Sequence, residues 1–174
     1  MNLRSQYIGE SVGGSVGGIL ATLNVISGLS GVGLSSSQIV LLALASGLAS
    51  GLAVASSRYL TLKASVERDL RQKTGSIGTI SPIKSSIAIY LAYLIGTLLL
   101  LSVYIFDLIF QLGLNNTFLS TILLAPVLFY LIGFYESQTL GLFNVNYGIE
   151  TTLIGLISGS LSYIVGSMVR NQIK

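Results

Sequence analysis

Long apolar stretches alternate with short polar segments along this chain. No Asp, Glu, Lys or Arg lies between Glu10 and Arg58, Lys84 and Asp107, Asp107 and Glu136, or Glu150 and Arg170. A helix crosses the ~30 Å hydrocarbon core of a bilayer with about 20 residues, each rising 1.5 Å. Each of these gaps is long enough for one crossing, and the first is long enough for two. The pattern therefore predicts five transmembrane helices.

We expect one all-α membrane domain over residues 1–174. The predicted spans are residues 7–34, 39–57, 83–106, 118–135 and 151–169. The first stretch is rich in Gly and contains Glu10, which is atypical of a signal peptide, so we interpret it as a retained helix. Residues 58–73 should continue span two as a short cytoplasmic helix, because Lys63, Glu67 and Arg71 follow one another at four-residue spacing.

The distribution of basic residues predicts the orientation in the membrane. Five spans place the two ends of the chain on opposite sides. The N-terminal side carries Arg4, Arg58, Lys63, Arg68, Arg71, Lys73 and Lys84, and the other side carries Arg170 and Lys174. Since cytoplasmic segments are enriched in Lys and Arg, we predict a cytoplasmic N-terminus and a C-terminus on the opposite side. The expected location is the bilayer of the cell membrane.

Composition narrows the class of function. Hydrophobic residues make up 52% of the chain and charged residues 9%, against about 25% charged in a soluble domain. This composition excludes a soluble enzyme, a disordered chain and a nucleic-acid-binding module. The chain has no Cys and no His, which removes thiolate ligands and the commonest general base. No acid–base or nucleophile–base pair can be assembled, so we predict no catalytic residues.

Glycines at four-residue spacing predict close helix packing. The pairs are Gly13 and Gly17 in span one, Gly47 and Gly51 in span two, and Gly155 and Gly159 in span five. Small residues let membrane helices approach closely. We expect spans one and two to pack with their backbones nearly touching. The glycines could serve packing alone, or they could also line a narrow groove that opens and closes.

Three acidic residues lie at the ends of predicted spans. Asp107 follows span three, Glu136 follows span four, and Glu150 precedes span five. Water is available at the ends of transmembrane helices. We therefore expect these three carboxylates to be solvated at the membrane interface.

Two polar residues lie inside span one, where polar groups are the usual markers of a transport path. Glu10 could attract a cation, or it could form an ion pair with Arg4 or Arg58. Asn24 could be a ligand or an interhelical hydrogen-bond partner. Glu10 and Asn24 are the candidate metal-binding residues.

Three segments resemble a known family. They are LASGLASGLAVASSRYLTLKAS (residues 44–65), SPIKSSIAIYLAYLIGTLLLL (residues 81–101) and TTLIGLISGSLSYIVGSMV (residues 151–169). In sequence and order they are similar to the vacuolar iron transporter family of Fe²⁺ and Mn²⁺ carriers. The resemblance implies a five-helix fold, a homodimer and an ion path between the subunits. It also implies Fe²⁺ or Mn²⁺ as the transported ion rather than as a resident cofactor.

The departures from that family fall on its ligand positions. Where the resemblance implies acidic or Met ligands, this chain has Gly17, Ser50, Val54 and Arg58. Glu10 is the family-like acid that remains. Divalent cations need oxygen or sulfur ligands to replace their water. The sequence leaves open a divergent cation transporter, a non-transporting structural or regulatory protein, and a transporter of a non-metal solute.

Overall fold

A computed structural model describes the backbone of residues 3–72, 81–110, 114–139 and 144–173. These residues form five helices, which are α1 (Leu3–Val32), α2 (Ser36–Gln72), α3 (Pro82–Phe110), α4 (Leu114–Thr139) and α5 (Val145–Ile173). Each helix is long and apolar enough to cross a membrane. The all-α class and the five spanning helices are thus confirmed.

Helix α2 is a single rod that runs unbroken from Ser36 to Gln72. The residues predicted to extend span two belong to this same helix, apart from Lys73, which lies outside the described residues. The limits of the membrane-embedded part of each helix, and the cytoplasmic placement of this extension, stay predictions.

The turn between α1 and α2 is built from local sequence signals. Gly33 has φ +90°, a left-handed conformation that glycine adopts without strain. Leu34 N–H donates to the carbonyl of Leu29 (3.2 Å) and Gly33 N–H to that of Ser30 (3.0 Å), which closes the C-terminus of α1. The Gln38 side chain then accepts from the Ser35 N–H (3.1 Å), a capping-box contact that starts α2.

Helix α1 is the centre of the fold and contacts each of the other four helices. The core around it contains Ile19, Leu23, Ile26, Ile39, Ala43, Leu100, Leu101, Tyr104, Ala125 and Phe129. Because α1 contacts all four other helices, polar residues of α1 such as Glu10, Asn24 and Ser30 lie at contacts between helices.

The closest backbone approach of α1 in the N-terminal half is to α3. A Cβ placed on Gly14 would lie 2.7 Å from the carbonyl oxygen of Ile89, and one on Gly18 would overlap the Tyr93 carbonyl. On α3, a Cβ placed on Gly96 would overlap the carbonyl oxygen of Ser15 in α1. Near its C-terminus α1 meets α5 equally closely.

The prediction that spans one and two have nearly touching backbones therefore needs correction. Gly47 and Gly51 of α2 face side chains of α3, because Thr97 lies against Gly47 and the rings of Tyr90 and Tyr93 lie against Gly51. These side chains fill the space that the α2 glycines leave open.

Candidate functional site

Three helices meet at the carboxylate of Glu10. The Glu10 side chain is only 8% exposed. Arg58 of α2 donates from Nη2 to Glu10 Oε1 at 2.5 Å. Ser85 of α3, which is fully buried, donates its hydroxyl to Glu10 Oε2. The carboxylate thus holds one end of α1 to both α2 and α3.

This geometry selects one of the alternatives left open for Glu10. The carboxylate is paired with Arg58, whereas the side chain of Arg4 lies outside the described side chains. Both carboxylate oxygens have a donor. A cation that binds Glu10 must compete with the guanidinium of Arg58, whose side chain is 36% exposed.

Asn24 takes part in a contact between α1 and α5. Its Oδ1 accepts a hydrogen bond from the Ser158 hydroxyl at 2.8 Å, which is the interhelical role expected as one of two alternatives. Asn24 lies fourteen positions after Glu10 on the same helix, about 21 Å along its axis. The structure therefore does not bring the two candidate metal-binding residues together.

The positions that depart from the family's ligands do not form a ligand cluster. Val54 is exposed on α2. Ser50 is half-buried on the same helix, and a Cβ on Gly17 would lie 3.6 Å from the Tyr93 ring. Among the described residues, no group of three or more Asp, Glu, His or Cys side chains could hold a metal ion.

The other glycines predicted to pack helices have different surroundings. A Cβ on Gly13 would meet no atom within 4 Å, whereas one on Gly155 would overlap the Phe129 ring. A Cβ on Gly159 would lie 3.2 Å from the Leu23 side chain. Gly13 is thus on an open face of α1, while Gly155 and Gly159 lie against neighbouring helices.

Asp107 is a buried carboxylate near the opposite end of the bundle. The residue is only 5% exposed, so the prediction that the Asp107 carboxylate is solvated is wrong. The Ser36 hydroxyl donates to Asp107 Oδ2. Ser36 is the first residue of α2, and the partial positive charge of a helix N-terminus stabilises a carboxylate there. Glu150 is exposed and Glu136 half-buried.

Apart from Asp107, the sequence pattern did not single out the polar residues on the buried face of α3. The buried polar residues of this helix are Ser85, Ser86, Tyr93, Thr97, Tyr104 and Asp107. Tyr104 is fully buried, and its hydroxyl lies 3.0 Å from that of Ser30 on α1. Their spacing of three, four or seven residues along most of the helix is the signal that could have revealed a polar stripe on the buried side of α3.

Comparison with known proteins identifies a family. A family model, that of the VIT family, matches residues 62–167, which is more than half of the 174 residues. No curated protein matches the chain, and no solved structure matches it. Glu10 and Arg58 both precede the matched segment.

Proposed function

Since the chain belongs to the VIT family, we propose that it moves a cation across the membrane, with Fe²⁺ or Mn²⁺ as the transported ion. The five membrane-spanning helices are consistent with a membrane transporter. The finer parts of the proposal rest on the site at Glu10.

The observation that supports this function best is the buried carboxylate of Glu10 where α1, α2 and α3 meet. Ionisable side chains inside membrane-spanning helices are costly and mark ion pathways. Glu10 offers two carboxylate oxygens, and Ser85 offers a hydroxyl oxygen beside them. Hard divalent cations prefer oxygen ligands and retain water at their remaining positions.

Arg58 keeps this site electrically balanced when no cation is bound. Its guanidinium pairs with Glu10, so the buried carboxylate is not left without a counter-charge, which would be costly. In the proposed cycle an incoming cation displaces Arg58 from Glu10 Oε1. Departure of the cation lets the ion pair form again.

We also propose that the protein works as a homodimer. Gly9 and Gly13 of α1 have open space around their Cα atoms in the single chain. Small residues on an open helix face permit close approach of a second helix. A second copy of the chain seated there would bring the Glu10 ends of two subunits together.

A second candidate function is that of a non-transporting structural or regulatory membrane protein. The observation that favours it is the absence of an acidic cluster within the described part of the chain. Each carboxylate oxygen of Glu10 already accepts a hydrogen bond, which is also compatible with a purely structural role. Under this alternative the Glu10–Arg58 pair fastens helices and binds no ion.

Replacing Glu10 with Gln tests the proposal because it keeps the shape and removes the charge. We expect wild-type proteoliposomes to take up Mn²⁺ above protein-free vesicles. Glu10→Gln should lower that uptake at least about tenfold, which corresponds to a loss of 1.4 kcal/mol in binding. The measurement is initial Mn²⁺ uptake at equal reconstituted protein.

Glu150→Gln is the matched control, because Glu150 is exposed and is predicted to lie on the same side of the membrane as Glu10. This substitution should not alter uptake. Wild-type uptake no greater than that of empty vesicles would support the non-transporting alternative. Uptake that is unchanged in Glu10→Gln would exclude Glu10 as the cation site while leaving transport intact.

A further inference from the structure

Helices α1 and α3 contact each other in a regular register. Several pairs of residues that meet across these helices are offset by 74 or 75 positions. The pairs are Glu10 with Ser85, Gly14 with Ile89, Gly18 with Tyr93, and Ser30 with Tyr104. The same offset places Thr22 of α1 level with Thr97 of α3. The main-chain nitrogen of Thr97 would lie 3.1 Å from a Cβ on Gly18, one turn before Thr22.

The hydroxyls of Thr22 and Thr97 are buried without a hydrogen-bond partner in the protein. Each residue is 2% exposed. Other helical threonines donate to the carbonyl four residues earlier, namely Thr61, Thr121, Thr151 and Thr152. Thr22 and Thr97 do not make this local bond. Buried polar groups are nearly always hydrogen-bonded, so two such hydroxyls at one level point to a ligand.

The surroundings of the two hydroxyls are enclosed and uncharged. Thr22 lies about 18 Å along the α1 axis from Glu10 and about 12 Å from Ser30, which is close to the middle of the helix. Gly47 of α2 has no side chain, and a Cβ there would lie 3.3 Å from Thr97 Oγ1. Leu100 and Leu101 of α3 are fully buried on the next turn.

We propose that Thr22 and Thr97 bind a buried water molecule in the middle of the α1–α3 contact. A water molecule can donate to one hydroxyl and accept from the other, and the second lone pair of a helix carbonyl can take its remaining proton. Buried waters typically make about three hydrogen bonds to groups that would otherwise be unsatisfied. The site is therefore hydrated within one subunit, between the buried carboxylates Glu10 and Asp107.

The chemistry favours water over a metal ion at this position. The two hydroxyls carry no charge, and a divalent ion without carboxylate ligands would face a large desolvation cost. This site is independent of the proposed transport through Glu10.

A double-mutant cycle tests the site in the full-length protein. Val has nearly the shape of Thr without the hydroxyl. We expect Thr22→Val and Thr97→Val each to lower the melting temperature by about 2–4 °C, because each leaves a bridging water with too few partners. The double variant should melt closer to wild type than the sum of the two shifts. If each single variant melts higher than wild type and the shifts add, the proposal is overturned.

A second measurement separates a bound water from two buried hydroxyls that are packed without one. In solid-state NMR, magnetisation should pass from water to the methyl groups of Thr22 and Thr97 faster than to that of Thr121. Thr121 is the matched control, being fully buried with its hydroxyl bonded to the Thr117 carbonyl. Transfer to Thr22 and Thr97 no faster than to Thr121 would exclude a bound water.

Discussion

Gly18→Ala is expected to leave little or no folded protein. The new Cβ would overlap the carbonyl oxygen of Tyr93 and lie 2.9 Å from the Tyr93 carbonyl carbon. It would also lie 3.1 Å from the Thr97 nitrogen. All three atoms belong to the α3 backbone, which cannot rotate away as a side chain can. Overpacking typically costs about 1–3 kcal/mol and sometimes more, and we expect at least the upper end here.

The measurements are the yield of monodisperse protein in detergent and its thermal unfolding. Gly17→Ala is the matched control, because its Cβ would lie 3.6 Å from the Tyr93 ring, an ordinary contact. Alanine favours a helix over glycine by about 0.8–1 kcal/mol, so this control should be at least as stable as wild type. Equal stability of the two variants would contradict the close α1–α3 approach.

Arg58→Ala is expected to raise the apparent affinity for Mn²⁺ about tenfold. The substitution frees Glu10 Oε1 and removes a positive charge that competes with the cation. When only a fraction of the protein is in the state that can bind the cation, the apparent affinity is reduced by that fraction. Because Arg58 is partly exposed, its ion pair with Glu10 contributes only about 1–1.5 kcal/mol. A change of 1.4 kcal/mol in binding free energy corresponds to about a factor of ten in affinity.

Equilibrium Mn²⁺ binding to equal amounts of folded protein measures this effect. Arg58→Lys keeps the charge and should resemble wild type more closely than Arg58→Ala does. The double variant Glu10→Gln/Arg58→Ala should lose the gain, which assigns it to the carboxylate. Unchanged or weaker binding in Arg58→Ala would show that Arg58 does not compete with the cation.

The number and class of the helices could be predicted from the sequence because charge gaps report directly on membrane crossing. The packing partner of α1 could not. Its glycines lie on more than one face, since Gly13 and Gly17 follow one stripe and Gly14 and Gly18 the next. Spacing therefore predicts close approach without naming the helix that approaches. The structure shows that the Gly14 and Gly18 stripe meets α3.

The candidate site was predictable only in part. Glu10 could be identified because an acid inside an apolar span is rare, but choosing its partner required the position of α2 relative to α1. Asp107 was expected in water because it follows an apolar run. Its burial depends on Ser36 and the start of α2, which lie beside it. This is a tertiary contact between residues that are far apart in the sequence. The unpartnered hydroxyl of Thr97 likewise depends on side-chain orientation.

The sidedness of exposed positions along the chain tests the membrane arrangement most directly. The chain has no Cys, so a single introduced thiol is labelled without background. Ser37, Ser65 and Gln172 are exposed positions in α2 and α5 and suit Cys substitution. We expect an impermeant thiol reagent to label Ser65→Cys only from the cytoplasmic side, and Ser37→Cys and Gln172→Cys only from the other side. Labelling of Ser65→Cys and Gln172→Cys from the same compartment would contradict five crossings and the proposed ion route together.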